Sequence, residues 1–239
     1  LAWATKTGTV HVADLGPSKR RWQWTSGLAS PELQGFNPEG TLIAIMGTNH
    51  SIGNISYWRK GLEIRSVTTG ELLLKSERTL GWDSVRFAGG GRRLVAITPT
   101  NNEVQVLFWD LTRPEQPPRA FTEDAGLFGI YDVTVSPDGR WTSIRSRQGE
   151  TVVYDAVAME RSSVVQAAGQ QVFSSTFSPD SRRLATGASG RETLQLWQAE
   201  TGRELLTLPG TGSVFFLQFA EDGNTLLAGS FFGGSWQMW

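Results

Sequence analysis

From residue 172 onward the chain alternates apolar and polar positions in short runs, and each run stops at a turn. VFSSTF leads into the turn SPDS. RRLATGA follows, then ETLQLWQAE, then ELLTLPG, and SVFFLQF starts the series again. Alternation with a period of two predicts half-buried β-strands. No long window sustains the 3.6-residue period of a helix face. Five turns align along the chain: FNPEG from Phe36, FAGGG from Phe87, VSPDG from Val135, FSPDS from Phe177 and FAEDG from Phe219. Their first residues are 51, 48, 42 and 42 apart. The turn chemistry suits a tight hairpin. Proline pre-sets φ at the second position, Asp accepts local N–H groups, and Gly takes the position with φ > 0.

Each turn has a strand before it and three β-rich runs after it. The second runs are TLIAIMG, RRLVAIT, RWTSIRS, RRLATGA and NTLLAGS. The third are GLEIRSV, EVQVLFWDL, ETVVYDAV, ETLQLWQAE and SWQMW, and a fourth is clear in ELLLKSE, SSVVQAA and ELLTLPG. Four short antiparallel strands in a repeat of about 40–50 residues predict an all-β fold, a β-propeller built of four-stranded blades. A lone blade cannot bury both faces. Stacking blades around an axis does so, and ring closure protects the edges.

The runs FSPDS, LATGA, LWQ and TGRELLTL resemble the WD40 repeat family, in the style common in bacterial multidomain proteins. The pair that names the family stands once, as Trp109-Asp110. Equivalent places hold Ala13-Asp14, Arg65-Ser66, Tyr154-Asp155 and Trp197-Gln198, and the chain stops at Trp239. The family's Gly-His pair is missing, since the only histidines are His11 and His50. The buried Asp-His-Ser-Trp network usual in the family is therefore not carried over to any blade. Six blades are visible, at about 1–27, 28–77, 78–123, 124–168, 169–209 and 210–239. The first lacks its innermost strand and the last its outermost. In the family an N-terminal strand usually completes the final blade. The expectation is that upstream residues of a longer parent protein supply both strands, with seven blades the alternative for that parent. Trp109, Tyr154, Trp197 and Trp239 share one third-strand position and are expected between blades.

Composition changes this picture little. The 239 residues carry 22 Lys and Arg against 23 Asp and Glu, a net charge of −1. That gives no global electrostatic case for nucleic acid or an anionic membrane as partner. There is no cysteine, hence no disulfide, thiolate metal site or cysteine nucleophile, and the compartment stays unspecified. No apolar run approaches the roughly 20 residues of a spanning helix. Phosphate-loop, zinc-helix and nucleophile-elbow motifs are absent, and two histidines make a poor metal set. No metal or cofactor is expected. The recurrent Asp138, Asp180 and Asp222 belong to the turns. Glu123-Asp124 reads as an acidic loop pair. The Arg-Arg pairs of GGRRL and DSRRL read as solvated charges beside turns.

What remains is a surface. The resemblance implies that connections from second to third strand, and from fourth strand to the next blade, share one end, the usual partner-binding face. The connection 47–61, GTNHSIGNISYWRKG, is far longer than its counterpart SGRE and carries Tyr57, Trp58, Arg59 and Lys60 in succession. Aromatic residues with Arg are the composition of an interface hot spot. Trp82, Phe128, Tyr131, Phe231 and Phe232 occupy other connections assigned to that end. Loops 47–61, 78–83, 124–131 and 230–234 are thus the expected binding face, exceeding the apolar patch usual on a soluble monomer. The expected function is a non-catalytic scaffold for a protein, a peptide or another domain of the same polypeptide. Two alternatives stand beside it: a propeller lyase or hydrolase with an axial site, and a recruitment or sensor arm of a bacterial kinase or signalling NTPase.

Overall fold

The alternating runs hydrogen-bond as antiparallel sheets, laid down one after another along the chain. The computed structural model describes residues 1–14, 16, 21–28, 30–47, 58–81, 84–99, 103–124, 130–146, 149–167, 171–189, 194–208, 213–230 and 236–239, with 58–60, 99, 124, 130–132 and 146 described by their backbone. Among the described residues there is no helix and there are six sheets.

Sheet one pairs β1 (Ala2–Ala4), β2 (Thr9–Ala13) and β3 (Arg21–Thr25). Sheet two orders β4 (Glu32–Phe36), β5 (Leu42–Met46), β6 (Trp58–Ser66) and β7 (Leu72–Gly81). Sheet three orders β8 (Arg86–Ala88), β9 (Arg93–Pro99), β10 (Glu103–Asp110) and β11 (Arg119–Asp124). Sheet four comprises β12 (Ile130–Val135), β13 (Trp141–Ser146), β14 (Glu150–Asp155) and β15 (Glu160–Gln166). Sheet five comprises β16 (Val172–Phe177), β17 (Arg183–Ala188), β18 (Leu194–Gln198) and β19 (Glu204–Leu208). Sheet six has β20 (Phe216–Phe219), β21 (Leu226–Gly229) and β22 (Trp236–Met238). In every sheet, neighbours in the chain are neighbours in the sheet. The first turn and the third-to-fourth turn of a sheet therefore share one end. The second-to-third connection and the exit to the next sheet share the other.

The chain divides into two compact units, Leu1–Phe87 with Gly91–Pro99 and Gln105–Phe121, and Ala88–Gly90 with Thr100–Val104 and Thr122–Trp239. In the first unit, Ala44, Leu62, Ile64, Leu94, Leu107 and Trp109 form one buried cluster. Val10, Val12, Ile43, Ile45 and Val67 form another. In the second, Trp141, Val153, Val165, Phe177, Leu184 and Trp197 pack together, and Leu194, Val214, Leu217, Phe219 and Leu226 form a separate cluster. Both faces of β5 and β17 are buried because sheet two packs against sheets one and three and sheet five against sheets four and six, whereas β3 and β20 of sheets one and six keep alternate residues exposed. Trp109, Tyr154 and Trp197 are buried at the shared third-strand position, and Trp239 is partly buried against the last cluster.

Candidate functional site

Of the residues expected to bind a partner, Tyr57, Trp82, Phe128, Phe231 and Phe232 lie outside the described residues, and Trp58, Arg59, Lys60 and Tyr131 are described by their backbone. The backbone alters two expectations. Trp58, Arg59 and Lys60 are not loop residues: they open strand β6. Tyr131 is the second residue of strand β12 rather than part of the connection before it. His50 also lies outside the described residues. His11 sits in β2, its ring stacked on Trp3 with centroids 4.9 Å apart.

Strand pairing brings part of the candidate set together. Trp58 pairs with Gly81, Arg59 with Leu80 and Lys60 with Thr79. Trp82 follows Gly81 directly. Residues 58–60 and 79–81, from two of the connections expected to bind, are therefore paired neighbours at one end of sheet two. Strand β5 ends at the Met46–Leu62 pair, so 58–60 extends beyond it and pairs with β7 alone among the described residues. The result is a two-stranded ribbon prolonging the sheet at its connection end.

One side of that ribbon is anchored. Leu80 is fully buried. The Thr98 hydroxyl donates to the Thr79 carbonyl at 2.6 Å. The Ser84 hydroxyl donates to the Gly81 carbonyl at 2.6 Å and accepts the Ile97 N–H at 3.4 Å. At its base Gly61 takes φ +84° in a bulge between Lys60 and Leu62, where a glycine is needed to shift the register. Below the bulge the carboxylate of Glu63, 1% exposed, accepts the Ser26 hydroxyl at 2.9 Å and the Gly27 N–H at 3.0 Å, and pairs with Arg65 at 2.7 Å. A buried carboxylate is tolerated only with such a full set of donors. The set fixes β6 against the end of sheet one.

The opposite end of the sheets explains the recurrent aspartates. The Asp138 carboxylate accepts the Ser136 hydroxyl at 2.6 Å and the Arg140 N–H at 2.9 Å. Asp180 does the same with the Ser178 hydroxyl at 2.5 Å and the Arg182 N–H at 3.1 Å. Asp222 accepts the N–H groups of Asn224 and Thr225. These oxygens close their own turns, as the repeat implied. The Ser178 hydroxyl, then the Arg182 N–H and the nearby Arg183 and Arg182 charges, hold the Asp180 carboxyl below its usual range against the opposing effect of burial. Adjacent turns of the second unit are also tied to one another. The Asp138 N–H donates to the Ser181 hydroxyl at 3.1 Å, and the Gly89 N–H to the Gly139 carbonyl at 2.5 Å.

Three polar groups differ from their sequence reading. Glu123 is a buried strand residue, not half of a solvated loop pair: the Tyr154 hydroxyl donates to it, and Arg161 pairs with it at 3.3 Å. Burial, then the Glu123 hydrogen bond and charge, push the Tyr154 phenol far above its ordinary range. The second arginine of each Arg-Arg pair is engaged rather than merely solvated. Arg93 binds Asp110 at 2.7 Å, and Arg183 donates to the Gly223 carbonyl at 2.5 Å. The Trp197 indole N–H donates to the Thr186 hydroxyl at 2.9 Å. No cluster of three or more metal-ligating side chains occurs among the described residues.

No family model matches the chain. Over 141 residues it is 25% identical to an uncharacterized WD repeat-containing protein of Synechocystis sp., a match covering 58% of this chain and 38% of that protein. Among solved structures it is similar to the Dos1 propeller, with a TM-score of 0.70 and 15% identity over 99% of this chain and 64% of that one. The chain thus spans less than two thirds of the length of either. Recurrent turns, sequential antiparallel sheets and the structural likeness converge on a β-propeller fold, and in sequence the chain is similar to a WD repeat-containing protein.

Proposed function

We propose that the chain is a non-catalytic interaction scaffold that captures a partner protein or peptide, or another domain of its own polypeptide, at the connection end of its sheets. The observation that carries this reading is the pairing of Trp58 with Gly81. It supports this reading because Trp58, Arg59 and Lys60 stand on a β6–β7 ribbon whose β7 side is anchored, with Tyr57 and Trp82 the next residues along the chain on either strand. Rigid aromatic groups beside Arg lose little conformational entropy on binding and dominate interface energies. Phe128, Tyr131, Phe231 and Phe232 are proposed as a second set, near the start of β12 and after β21 in sequence.

The test is affinity capture with the wild-type chain and a Trp58→Ala/Trp82→Ala variant, each checked by thermal melting. The expected result is loss of a specific partner with a melting temperature close to that of wild type. A destabilisation of about 3 kcal/mol or more, the cost of emptying a core site, would instead make these residues packing groups. A deletion variant should remove 48–57 and spare 58–60, which belong to the β6–β7 ladder.

A further inference from the structure

Sheet six has three strands where sheets two to five have four, and β22 stands at its outer edge, paired with β21 alone among the described residues. Trp239 exchanges both main-chain hydrogen bonds with Leu226: its N–H donates to the Leu226 carbonyl at 3.1 Å, and its carbonyl accepts the Leu226 N–H at 2.9 Å. Along an antiparallel strand the main-chain groups point alternately to one edge and the other. Those of Gln237 and Trp239 therefore face β21, and the N–H and C=O of Trp236 and Met238 face outward.

Such an outward row accepts another strand unless something guards it, and a charged side chain is the usual guard. The other outer strands each carry an exposed charge: Arg21 in β3, Lys75 in β7, Arg119 in β11, Arg161 in β15 and Glu204 in β19. Strands β20, β21 and β22 contain no charged residue. The side chains of Trp236 and Met238 are 60% and 72% exposed, on the face of sheet six turned away from its buried cluster. Trp236 is held in place there. Its six-membered ring lies over Gly229, 2.9 Å from where a Cβ would stand, and forms a T-shaped pair with Phe216 at 5.4 Å between centroids.

The geometry points to β22 as a self-association edge, at which two copies of the chain join β22 to β22 antiparallel about a two-fold axis at Gln237. In that register Trp236 of one copy stands opposite Met238 of the other. Outward-facing groups meet outward-facing groups, and both hydrogen bonds form at each pair. A shift by one residue would set Trp236 against Gln237, whose groups already face β21. The same register lays each indole beside the other copy's Met238 thioether, a favourable sulfur–aromatic contact. This match of the strand with itself selects a second copy over an unrelated strand. The contact is isologous and closes at two copies. It leaves the connection end free and does not depend on the function proposed above.

Sedimentation velocity of the full chain over about 1–200 μM should show a reversible equilibrium between monomer and dimer. Met238→Pro removes an outward N–H and none of the bonds to β21, a place where an edge strand tolerates proline. It should raise the dimer dissociation constant about tenfold or more at a melting temperature close to that of wild type. Cross-linking reads the register whatever the stability of that variant. Gln237→Cys, in a chain that has no other cysteine, sets two thiols on the axis with Cβ atoms about 4.5 Å apart, within reach of a disulfide, so mild oxidation should yield a covalent dimer. Val157→Cys, at an exposed site in the turn between β14 and β15, should not. A monomer at every concentration, growth beyond a dimer, unchanged association in Met238→Pro, or equal cross-linking of the two cysteine variants would each overturn the proposal.

Discussion

Ser181 shows how one residue can serve two conflicting demands. It stands where the turn motif elsewhere has Gly, at φ +62°, a conformation costly for a residue with a Cβ. Its hydroxyl accepts the Asp138 N–H of the adjacent turn. Replacing it separates the two effects. Ser181→Ala loses the hydrogen bond and keeps the strain. Ser181→Gly loses the bond and relieves the strain. The glycine variant should therefore be the more stable of the two by about 1 kcal/mol, read from urea midpoints at unchanged m. Equal midpoints would mean that the backbone carries no strain there. The turn itself was legible in the sequence, because Pro179 pre-sets φ while Ser178 and Asp180 accept N–H groups five and two residues away. The tie to Asp138 was not, since its partner lies 43 residues off. Glu123 failed to declare itself for the same reason: the Tyr154 that buries it is 31 residues distant.

At the scale of the element, β6 and β7 depart most from the simple repeat. The fourth strand of sheet two reaches Gly81, past the boundary at 77 that the spacing predicts. Neither Trp58-Arg59-Lys60 nor Ser76-Glu77-Arg78 shows the alternation that marks a half-buried strand. Trp58–Lys60 form strand because they pair with Thr79–Gly81 beyond the bulge, and Ser76 with Leu62 below it; that long-range fact leaves no local signature. Gly61 is the hinge of this arrangement. With φ +84°, and with a Cβ built there only 2.6 Å from the Leu28 side chain, Gly61→Ala meets both backbone strain and a clash. The flexible leucine can yield, but the backbone conformation cannot be relieved. A loss of about 1–3 kcal/mol is expected, measured by chemical denaturation. Because the register above the bulge depends on it, the same variant should also weaken partner capture at Trp58. A variant of wild-type stability would show that the bulge tolerates a side chain.

For the whole molecule, acid and base should act differently on the two compact units. In the first, burial pushes the Asp110 carboxyl up. The Thr112 hydroxyl and N–H, then the Arg93 and Arg113 charges, outweigh it and hold it below its usual range. In the second, Asp180 is held low by its own turn. Groups depressed in the folded state contribute stability that is present above the ordinary carboxyl range and lost as pH falls through their folded values. Acid should therefore weaken both units, beginning below about pH 4. Tyr154 has the opposite sign. Its phenol is raised, so its contribution is complete below the ordinary value of 10.0 and is lost as pH climbs above it. In the first unit the hydrogen bond and charge of Glu77 raise the Lys75 ammonium, but that pair is exposed and screened by solvent, whereas Tyr154 is buried. Alkaline loss should accordingly begin in the second unit. Hydrogen exchange followed by mass spectrometry at stepped pH reads each unit separately. The second unit should open first above about pH 10, with the absorbance of the Tyr154 phenolate rising only as protection in β14 and β15 is lost. Tyr154→Phe should abolish that coupling, at the cost of leaving the buried Glu123 carboxylate with Arg161 alone and lowering neutral-pH stability by about 1–3 kcal/mol. Phenolate appearing at full protection would mean that the hydroxyl reaches solvent without unfolding, and that the buried Tyr154–Glu123 pair does not hold the sheets of this unit together.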